Sequence, residues 1–429
     1  SDINGLYEIK NVPEDVYKLE IKYLGYNTHI EPDIRVTRGK IFYVKDIELT
    51  ESMIVGDEVT ITSGYFNDSK NLPVSNYTYS KEEIVRAPGS AGDIFKAVES
   101  LPGVSTSGGE FSAFSVRGGA PTDNIILIDN IPFANISHFV EAGGNEEVQG
   151  GRFSIFTTGL IEKAVFQGGG FSSKYGGRKA SFLDLSIKEG NKESFTLNGT
   201  YDLLGWEANY DGPAYLLNNT SLVISARGQD FKKVLEIMGE VGHGHPAFQD
   251  YVMKLTSDIN ENNKISILGI YSTEKYIRDL YHLYKADNFD DRSMGLDKED
   301  KLLIGLNWRH LAGKSGYLNS SIYWGKVKTN QEKGRAYPDP VNGIYPAKEE
   351  IIVRNPIGVY KSDEFQYGIK EEFLHTINKS ITLNIGFQYQ QIKKTSSINM
   401  NGKDTLFIFQ SDEMFPGGDK FLIIDPFEI

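Results

Sequence analysis

Two histidines separated by one glycine, His243 and His245, come closest in this 429-residue chain to the spacing of a metal site. Imidazole and carboxylate groups both bind Zn²⁺ and related cations, and Glu240 and Asp250 lie nearby in the sequence. The stretch has the composition of a long loop, and it offers no third ligand at a helical spacing. We therefore interpret it as a solvated loop and predict no metal site.

Other motifs that suggest phosphate or calcium binding lack the required spacing. The stretch GGGFSSKYGGRKAS (168–181) has the glycines of a phosphate loop but not its Gly-Lys-Ser/Thr ending, which favours tight turns. The acidic loop with Asp287, Asp290 and Asp291 does not follow the calcium-loop pattern, and we interpret it as solvated. The chain has no cysteine and no nucleophile elbow, so we predict that it is not an enzyme and has no catalytic residue or cofactor.

The composition favours a β-rich protein that does not bind nucleic acid. Lys plus Arg number 45 and Asp plus Glu number 58, and the net charge of -13 opposes phosphate binding. The 24 Tyr, 24 Phe and 44 Gly are typical of strands and turns. No apolar run approaches the ~18 residues of a membrane-spanning helix, which leaves a β-barrel open. The first residues do not form a signal peptide, and we expect an N-terminus that is processed or incomplete.

The first 72 residues indicate a small β-domain followed by a linker. Residues 1–50 contain roughly three short strands with alternating apolar residues, which predicts an incomplete β-sandwich domain. Residues 51–72 are rich in Gly, Asn, Asp and Ser around one β-prone stretch. This composition predicts a linker that contains one extended segment.

Residues 73–190 combine one helix with a glycine-rich series of short strands. The helix is predicted over 90–101, where Ser90 and Asp93 form a capping box. Between Gly108 and Gly177, paired and tripled glycines separate short apolar strands. This pattern indicates sharp turns in a confined space, because glycine alone takes positive φ and close backbone approach freely.

Beyond about residue 191 the pattern changes to strands with one apolar, aromatic face. The connections between these strands alternate in length: 258–263, 311–316 and 375–379 are short, and 230–247, 276–299 and 330–363 are long. Long loops at one end and short turns at the other are typical of an outer-membrane barrel, whereas a soluble sandwich has no reason for them. We therefore predict that residues 191–429 form roughly nine or ten strands of an antiparallel transmembrane β-barrel.

Three motifs occur in a fixed order within 73–190: DIFKAVESLPGV (93–104), FSVRGG with IILIDNIPF (114–119 and 125–133), and KAVFQGGGFSSKYGGRKASFLDLSIKEG (163–190). With these motifs the region resembles the plug domain of TonB-dependent outer-membrane receptors. Residues 1–50, with GLYEIKNVPEDVYKLEIKYLGY, resemble the carboxypeptidase-regulatory-like β-domain that precedes the plug in one large branch of that family.

The resemblance implies a mainly β protein in the outer membrane of a Gram-negative cell. Its expected parts are a small β-sandwich domain (1–50), a linker (51–72), an α/β plug domain (73–190) and the N-terminal part of a large antiparallel transmembrane β-barrel (191–429). The barrel would contact outer-membrane lipid. Barrels of this family have ~22 strands, more than 239 residues after position 190 can supply, so we expect missing N-terminal and C-terminal portions.

The linker contains a stretch that is similar to the family's TonB box. DEVTITS (57–63) lies where the family places this box, and Thr60 replaces a usual aliphatic residue. An extended segment in a linker suits strand addition to the edge of a partner's sheet. The resemblance therefore implies contact with a TonB-type inner-membrane energy-coupling protein through Glu58, Val59, Thr60, Ile61 and Thr62.

Within the plug, Arg117, Gly118, Gly119 and Asp129 are predicted to take part in gating. If Arg117 is a buried or lumenal cation it needs a carboxylate or carbonyl partner, for which Asp129 and Glu162 are candidates. The alternative is that Arg-Gly-Gly only sets a turn within the plug.

The family places apical loops that meet the ligand between plug strands, where His138 and Phe139 lie. The resemblance implies that these two residues contact ligand, and the alternative is an ordinary exposed loop. The resemblance implies an unknown small ligand from the classes that the family imports, namely siderophores, cobalamin, glycans and peptides. Importers that pair with a lipoprotein lid usually have a VVDG-type turn, and Ile128-Asp129-Asn130 departs from it, which argues against a lid partner.

The leading function is TonB-dependent active transport of a nutrient ligand through a plug-gated barrel. A second class of function stays open, namely an outer-membrane receptor for signal transduction or surface adhesion without net import. A secreted enzyme with a regulatory-like β-domain is disfavoured, because a metallopeptidase needs a His/Glu metal set that the sequence lacks.

Overall fold

A computed structural model gives the fold of most of the second half of the chain and of parts of the first half. It describes residues 7–9, 12, 15–21, 29–36, 76–80, 95, 98, 103–106, 114–119, 123–133, 136–139, 153–169, 180–215, 217–242, 244–260, 262–279, 282, 293–312, 316–335, 356–378, 381–399, 406–408 and 422–424.

The N-terminal region contains one antiparallel pair of strands, β1 (Asp15–Ile21) and β2 (His29–Val36). Two paired strands agree with a β-rich start, and the assignment of residues 1–50 to a carboxypeptidase-regulatory-like domain stays a prediction. The proposed TonB-box residues 58–62 lie outside the described part of the chain. Of the helix predicted over 90–101, Phe95 and Val98 are described, and both are helical and buried.

A mixed sheet of five strands forms the centre of the plug region, with β11 parallel to β6 and the other pairs antiparallel. In spatial order the strands are β3 (Asn76–Ser80), β10 (Ile161–Gln167), β11 (Ser181–Ile187), β6 (Asn124–Ile128) and β7 (Ile131–Pro132). Two further pairs are β4 (Val104–Thr106) with β5 (Phe114–Val116) and β8 (Ser137–His138) with β9 (Phe153–Ser154).

Burial on both faces explains the sequence of β11, SFLDLSI, in which every residue is buried. Such a strand does not alternate between apolar and polar residues, because both of its faces are covered. Its apolar residues join β6, β10 and Phe95 in one core that extends to the inner face of the barrel strands. The plug and the barrel therefore share a hydrophobic core.

The second half of the described chain is a nine-stranded antiparallel sheet in which sequence neighbours pair. Its strands are β12 (Thr196–Tyr201), β13 (Gly205–Pro213), β14 (Thr220–Asp230), β15 (His245–Asn260), β16 (Asn263–Arg278), β17 (Ser293–Leu311), β18 (Gly316–Arg335), β19 (Pro356–Asn378) and β20 (Ile381–Asn399). One helix, α1 (Lys232–Met238), follows β14, and a small pair, β21 (Leu406–Ile408) and β22 (Leu422–Ile424), lies at the end. Among the described residues, no helix is long and apolar enough to cross a membrane.

The two faces of this sheet differ as the alternation predicts. Met253, Ile304, Trp324 and Tyr367 occupy matching register positions on one face, and all four are exposed. The opposite face contacts the plug. From β14 onward the short and long connections alternate as predicted, since short turns join β15 to β16, β17 to β18 and β19 to β20. The mainly β fold, with a plug beside antiparallel barrel strands, is confirmed.

Close packing between plug and barrel depends on Gly305, which lies on the inner face of β17. A side chain at this position would collide with the end of Ile131 in the plug. We expect Gly305→Ala to weaken plug–barrel attachment by about 1–3 kcal/mol, as overpacking does in other cores. The measurement is the urea concentration at which the plug of the detergent-solubilised protein becomes accessible to protease.

Gly269→Ala is the matched control, because a side chain there meets only the Met253 Cε, at 4.0 Å. It should leave the urea midpoint unchanged. Ile131→Val removes the terminal methyl group that collides, so the Gly305→Ala/Ile131→Val double variant should recover part of the loss. A double variant no more stable than Gly305→Ala would show that this contact is not the cause.

Candidate functional site

The turn between β6 and β7 is the first place where the plug meets the barrel. Ile128 pairs with Ile131, so the hairpin has a two-residue loop, Asp129-Asn130, and both residues have positive φ, 48° and 68°. A type I′ turn needs this conformation at both positions, and Asp and Asn are among the few residues that accept it. The Asp-Asn pair thus forms a tight turn, and both side chains are buried.

Asp129 forms an ion pair with a barrel lysine and accepts a hydrogen bond from the plug backbone. One carboxylate oxygen lies 3.0 Å from the Lys254 Nζ, and the other accepts a hydrogen bond of 3.0 Å from the Ile187 amide. Lys254 also donates to the Ile187 carbonyl oxygen at 2.6 Å. Burial raises the pKa of the Asp129 carboxyl above its ordinary value, and the Lys254 ammonium and the Ile187 amide oppose this rise.

The same turn is also bound by side chains from two further barrel strands, β17 and β19. The Asn307 side chain donates to the Asp129 carbonyl oxygen at 3.1 Å, and the Gln366 side chain donates to the Pro132 carbonyl oxygen at 3.3 Å. Lys370 donates to the Asn130 side chain. We call the turn and these partners the turn anchor. Its contacts come from β15, β17 and β19, so it fixes the hairpin at several points.

A second attachment is centred on His138, which is 0% exposed. The His138 Nε2 lies 2.9 Å from the Asp250 carboxylate, and the His138 Nδ1 lies 2.7 Å from the Glu274 carboxylate. Glu274 also accepts a hydrogen bond of 2.8 Å from the Phe139 amide. The ring of Phe248 stacks on His138 with 4.0 Å between ring centroids. The plug side chain therefore sits between two barrel carboxylates and under one barrel aromatic ring.

Two barrel cations complete this cluster and also bind the plug backbone. The Arg227 guanidinium lies 2.5 Å from the Asp250 carboxylate and donates to the Ser154 carbonyl oxygen at 2.7 Å. The Lys301 Nζ lies 2.9 Å from the Glu274 carboxylate and donates to the Ser137 carbonyl oxygen at 2.7 Å. We call these residues and the His138 segment the histidine cluster. Each cation joins a barrel carboxylate to a plug carbonyl.

A third set of ion pairs lies where the plug passes into the barrel. Lys188 lies 2.8 Å from Asp211, and Glu189 lies 2.5 Å from Lys264. The Lys264 and Glu189 side chains are 18% and 41% exposed, so solvent screens this pair more than the Asp129–Lys254 pair.

Arg117 is exposed, and among the described residues it has no carboxylate partner. Asp129, one of the two candidate partners, is paired with Lys254 at the turn anchor instead. Glu162, the other candidate partner, is exposed on β10. Arg117 has a positive φ of 50°, and its amide donates to the Gly103 carbonyl oxygen at 2.8 Å. These features agree with the alternative that Arg-Gly-Gly sets a turn.

The two glycines that follow Arg117 belong to this turn. Gly118 has a φ of 79°, and the Gly119 amide donates to the Val116 carbonyl oxygen at 2.9 Å. A Cβ atom on Gly119 would lie 2.6 Å from the Ala180 Cβ. The positive φ thus favours glycine at position 118, and the close approach of Ala180 favours it at position 119. The part of both glycines in gating stays a prediction.

His138 and Phe139 are buried against the barrel instead of exposed in an apical loop. Their predicted contact with ligand stays a prediction. The sequence analysis did not identify the barrel residues that contact the plug. A signal was present, because Asp250 and Lys254 are charged residues on the inward-facing side of β15. Charges at such positions face the lumen and require partners there.

The stretch around His243 and His245 does not assemble the metal set weighed from the sequence. His243 lies outside the described residues, and Asp250 belongs to the histidine cluster. The His245 Nδ1 lies 3.0 Å from the His282 Nε2, and the His282 Nδ1 lies 2.6 Å from the Asp279 carboxylate. Within the described part of the chain, no group of three or more His, Asp or Glu residues is placed to hold a metal ion.

Comparison with known proteins agrees with this arrangement. Residues 68–181 match the family model of the TonB-dependent receptor plug domain. The fold is similar to that of a variant of the ferric enterobactin receptor PfeA from Pseudomonas aeruginosa (15% identity, TM-score 0.52), with 76% of this chain and 50% of that chain covered. It is also similar to the copper transporter OprC (12% identity, TM-score 0.50), with 81% and 49% covered. No curated protein matches the chain in sequence.

These matches assign the plug region to the TonB-dependent receptor plug domain and the sheet to the barrel fold of such receptors. The chain spans about half the length of the two matched structures. One of the two matched proteins is a receptor and the other is a transporter.

Replacing Lys254 should destabilise plug attachment more than replacing a comparable lysine at the plug–barrel junction. Lys254→Met leaves the Asp129 carboxylate buried without its counter-charge, and we expect a cost of about 3–5 kcal/mol. Lys264→Met is the matched control, because its nearest partner Glu189 is partly exposed and its second partner Asp258 keeps Lys192. The expected cost is about 0–1 kcal/mol. The same urea midpoint of plug release measures both. Equal losses in the two variants would contradict the turn anchor.

Proposed function

We propose that this chain, with its TonB-dependent receptor plug domain and its barrel strands, imports a nutrient ligand across the outer membrane. The observation that carries the proposal is the way the plug is attached to the barrel. The attachment consists of buried ionic and hydrogen-bonded contacts at the turn anchor and the histidine cluster, packed around a shared apolar core. A plug held in this way would close the barrel, and its contacts with the barrel wall could still be broken.

The separation of the two sheets supports a gating role. Among the described residues, no strand of the plug sheet pairs with a strand of the barrel sheet. A continuous β-ladder across the boundary would join the two parts through a row of backbone hydrogen bonds. Side-chain contacts can instead break in small groups, so a pulling force can rearrange part of the plug while the barrel strands keep their pairing.

The energy for this rearrangement would come from a TonB-type protein of the inner membrane. Residues 58–62 supply the extended segment that such a partner binds by strand addition. A linker over 51–72 reaches up to about 70 Å when fully extended, at 3.3 Å per residue. It is therefore long enough to carry force from a partner outside the barrel to β3, the first described strand of the plug sheet.

The ligand class is a siderophore, cobalamin, a glycan or a peptide. The two matched structures are a ferric enterobactin receptor and a copper transporter, which supports iron–siderophore complexes and copper as the first probes. Import is preferred over a receptor that only signals or adheres, because a barrel that never opens needs no separable plug. A lipoprotein lid is not part of the proposal.

Deletion of residues 57–62 tests the coupling. In cells that carry the full-length protein, we expect this deletion to abolish uptake of the transported probe while surface binding stays within about twofold, because the ligand site and the energy-coupling segment are separate. The probes are ferric enterobactin, copper, cobalamin, an oligosaccharide and an oligopeptide, each in labelled form. Deletion of the equally long stretch 64–69 controls for linker length and should leave uptake unchanged.

Uptake that continues without residues 57–62 would contradict the coupling segment. Probe that binds wild-type cells without ever entering them would contradict import and would favour the signalling or adhesion alternative. The two results are separated by washing the cells with unlabelled probe, which removes surface-bound label only.

A further inference from the structure

His138 is the only plug side chain of the histidine cluster that carries a titratable group, and both of its ring nitrogens face carboxylates. The Nε2 lies 2.9 Å from the Asp250 Oδ1, and the Nδ1 lies 2.7 Å from the Glu274 Oε2. Ionised carboxylates accept hydrogen bonds and cannot donate them. Both ring nitrogens can donate to these carboxylates only when the ring carries two protons, which is the imidazolium form.

The charges around His138 balance only when the ring is protonated. Three cations and three carboxylates then face one another inside the cluster, and an uncompensated buried charge is costly. Without the second proton, one ring nitrogen would present its lone pair to a carboxylate oxygen within 3 Å. The groups that face His138 or its partners are Arg227 on β14, Asp250 on β15, Glu274 on β16 and Glu299 and Lys301 on β17.

The cations of the turn anchor offer no such change, since both are lysines supplied by the barrel. A lysine at the position of His138 would keep its charge across the ordinary pH range, whereas histidine is the side chain whose charge changes most readily between about pH 5 and 8. The buried charge of the plug is thus paired with a barrel lysine at the turn anchor, whereas at the histidine cluster the pairing depends on a proton on His138.

We propose that His138 is a proton-dependent latch between plug and barrel. With both nitrogens protonated it bridges Asp250 and Glu274 and holds the segment around Ser137–Phe139 against β15 and β16. When it loses a proton to solvent, the bridge to one carboxylate breaks and this segment detaches, while the turn anchor stays closed. The inference deepens the proposed gating function, but it concerns plug attachment alone and can be measured without transport.

Cysteine labelling can measure detachment directly, because these 429 residues contain no cysteine. Ile155→Cys places a thiol next to the latch, since Ile155 is buried and its amide donates to the Ile136 carbonyl oxygen at 2.9 Å. Leu183→Cys on β11 is the control site in the same plug, buried and on a different element. The rate of maleimide labelling is measured in the full-length, detergent-solubilised protein from pH 6 to pH 9. Each rate is divided by that of the same variant unfolded in urea at the same pH, which removes the pH dependence of thiol reactivity.

The expected result is that the corrected labelling of Ile155→Cys rises with pH by at most about tenfold per unit, the slope of one released proton. Leu183→Cys should stay protected over the whole range. In the His138→Gln background the labelling of Ile155→Cys should be high and independent of pH, because the amide does not titrate and donates to only one carboxylate at a time. His138→Asn is a second non-titrating background that should also give a flat profile.

A flat profile with the natural His138 would overturn the latch. So would a rise with pH that persists in both His138→Gln and His138→Asn, since another group would then carry the proton. If both variants fail to fold, Glu274→Gln replaces them: it removes one of the two charges that hold the proton, so the rise must begin at lower pH, and an unmoved profile would overturn the proposal. Uptake in the 57–62 deletion tests the proposed transport function, whereas the labelling profile tests the latch alone.

Discussion

Buried charge on the inner face of the barrel is the constraint on which the structure depends. Lys254, Lys301 and Lys370 are each buried, and a buried ammonium group without a partner costs several kcal/mol. Each of these lysines donates to a backbone or side-chain oxygen of the plug. The barrel strands therefore require the plug in order to satisfy their own inward side chains. This requirement is mutual, because the carboxylate of Asp129 and both nitrogens of His138 are satisfied by barrel residues.

Because side chains alternate between the two faces of a β-strand, a barrel strand can carry inward-facing charges and still present an apolar surface to the membrane. Successive side chains point to opposite faces, so Asp250 and Lys254 face the plug while Tyr251 and Met253 between them are exposed on the other face. One strand thus carries an apolar and an ionic surface at once. A one-residue shift of register would exchange the two and place charges in the lipid, which is why long strands with strict alternation fix their register strongly.

Local features of the chain could be predicted from sequence, whereas contacts between distant residues could not. Alternation located the barrel strands and their short turns, and the glycines and motifs located the plug, because each signal lies within a few neighbouring residues. Asp129 was a candidate partner of Arg117 because both charges lie in the same plug motif, whereas its partner in the fold is Lys254. The pairs that attach the plug join residues far apart, such as His138 with Asp250, 112 positions later, and Lys370 with Asn130, 240 positions earlier. Residue type shows that a buried charge needs a partner, but only the packing of the sheets decides which one.

Because the plug is attached at separate anchors, it can be held firmly in the barrel and still be released in steps. Contacts that break independently let a force act on one group at a time, so the barrier to each step is smaller than that of the whole interface. The apolar contact of Ile131 with β17 lies beside the turn anchor, so the hairpin end of the plug has both packing and charge to hold it. The segment around His138 is held mainly by ionic and aromatic contacts from β14 to β17, and these weaken as soon as one charge changes or water enters. The hairpin is therefore the part of the plug we expect to move last.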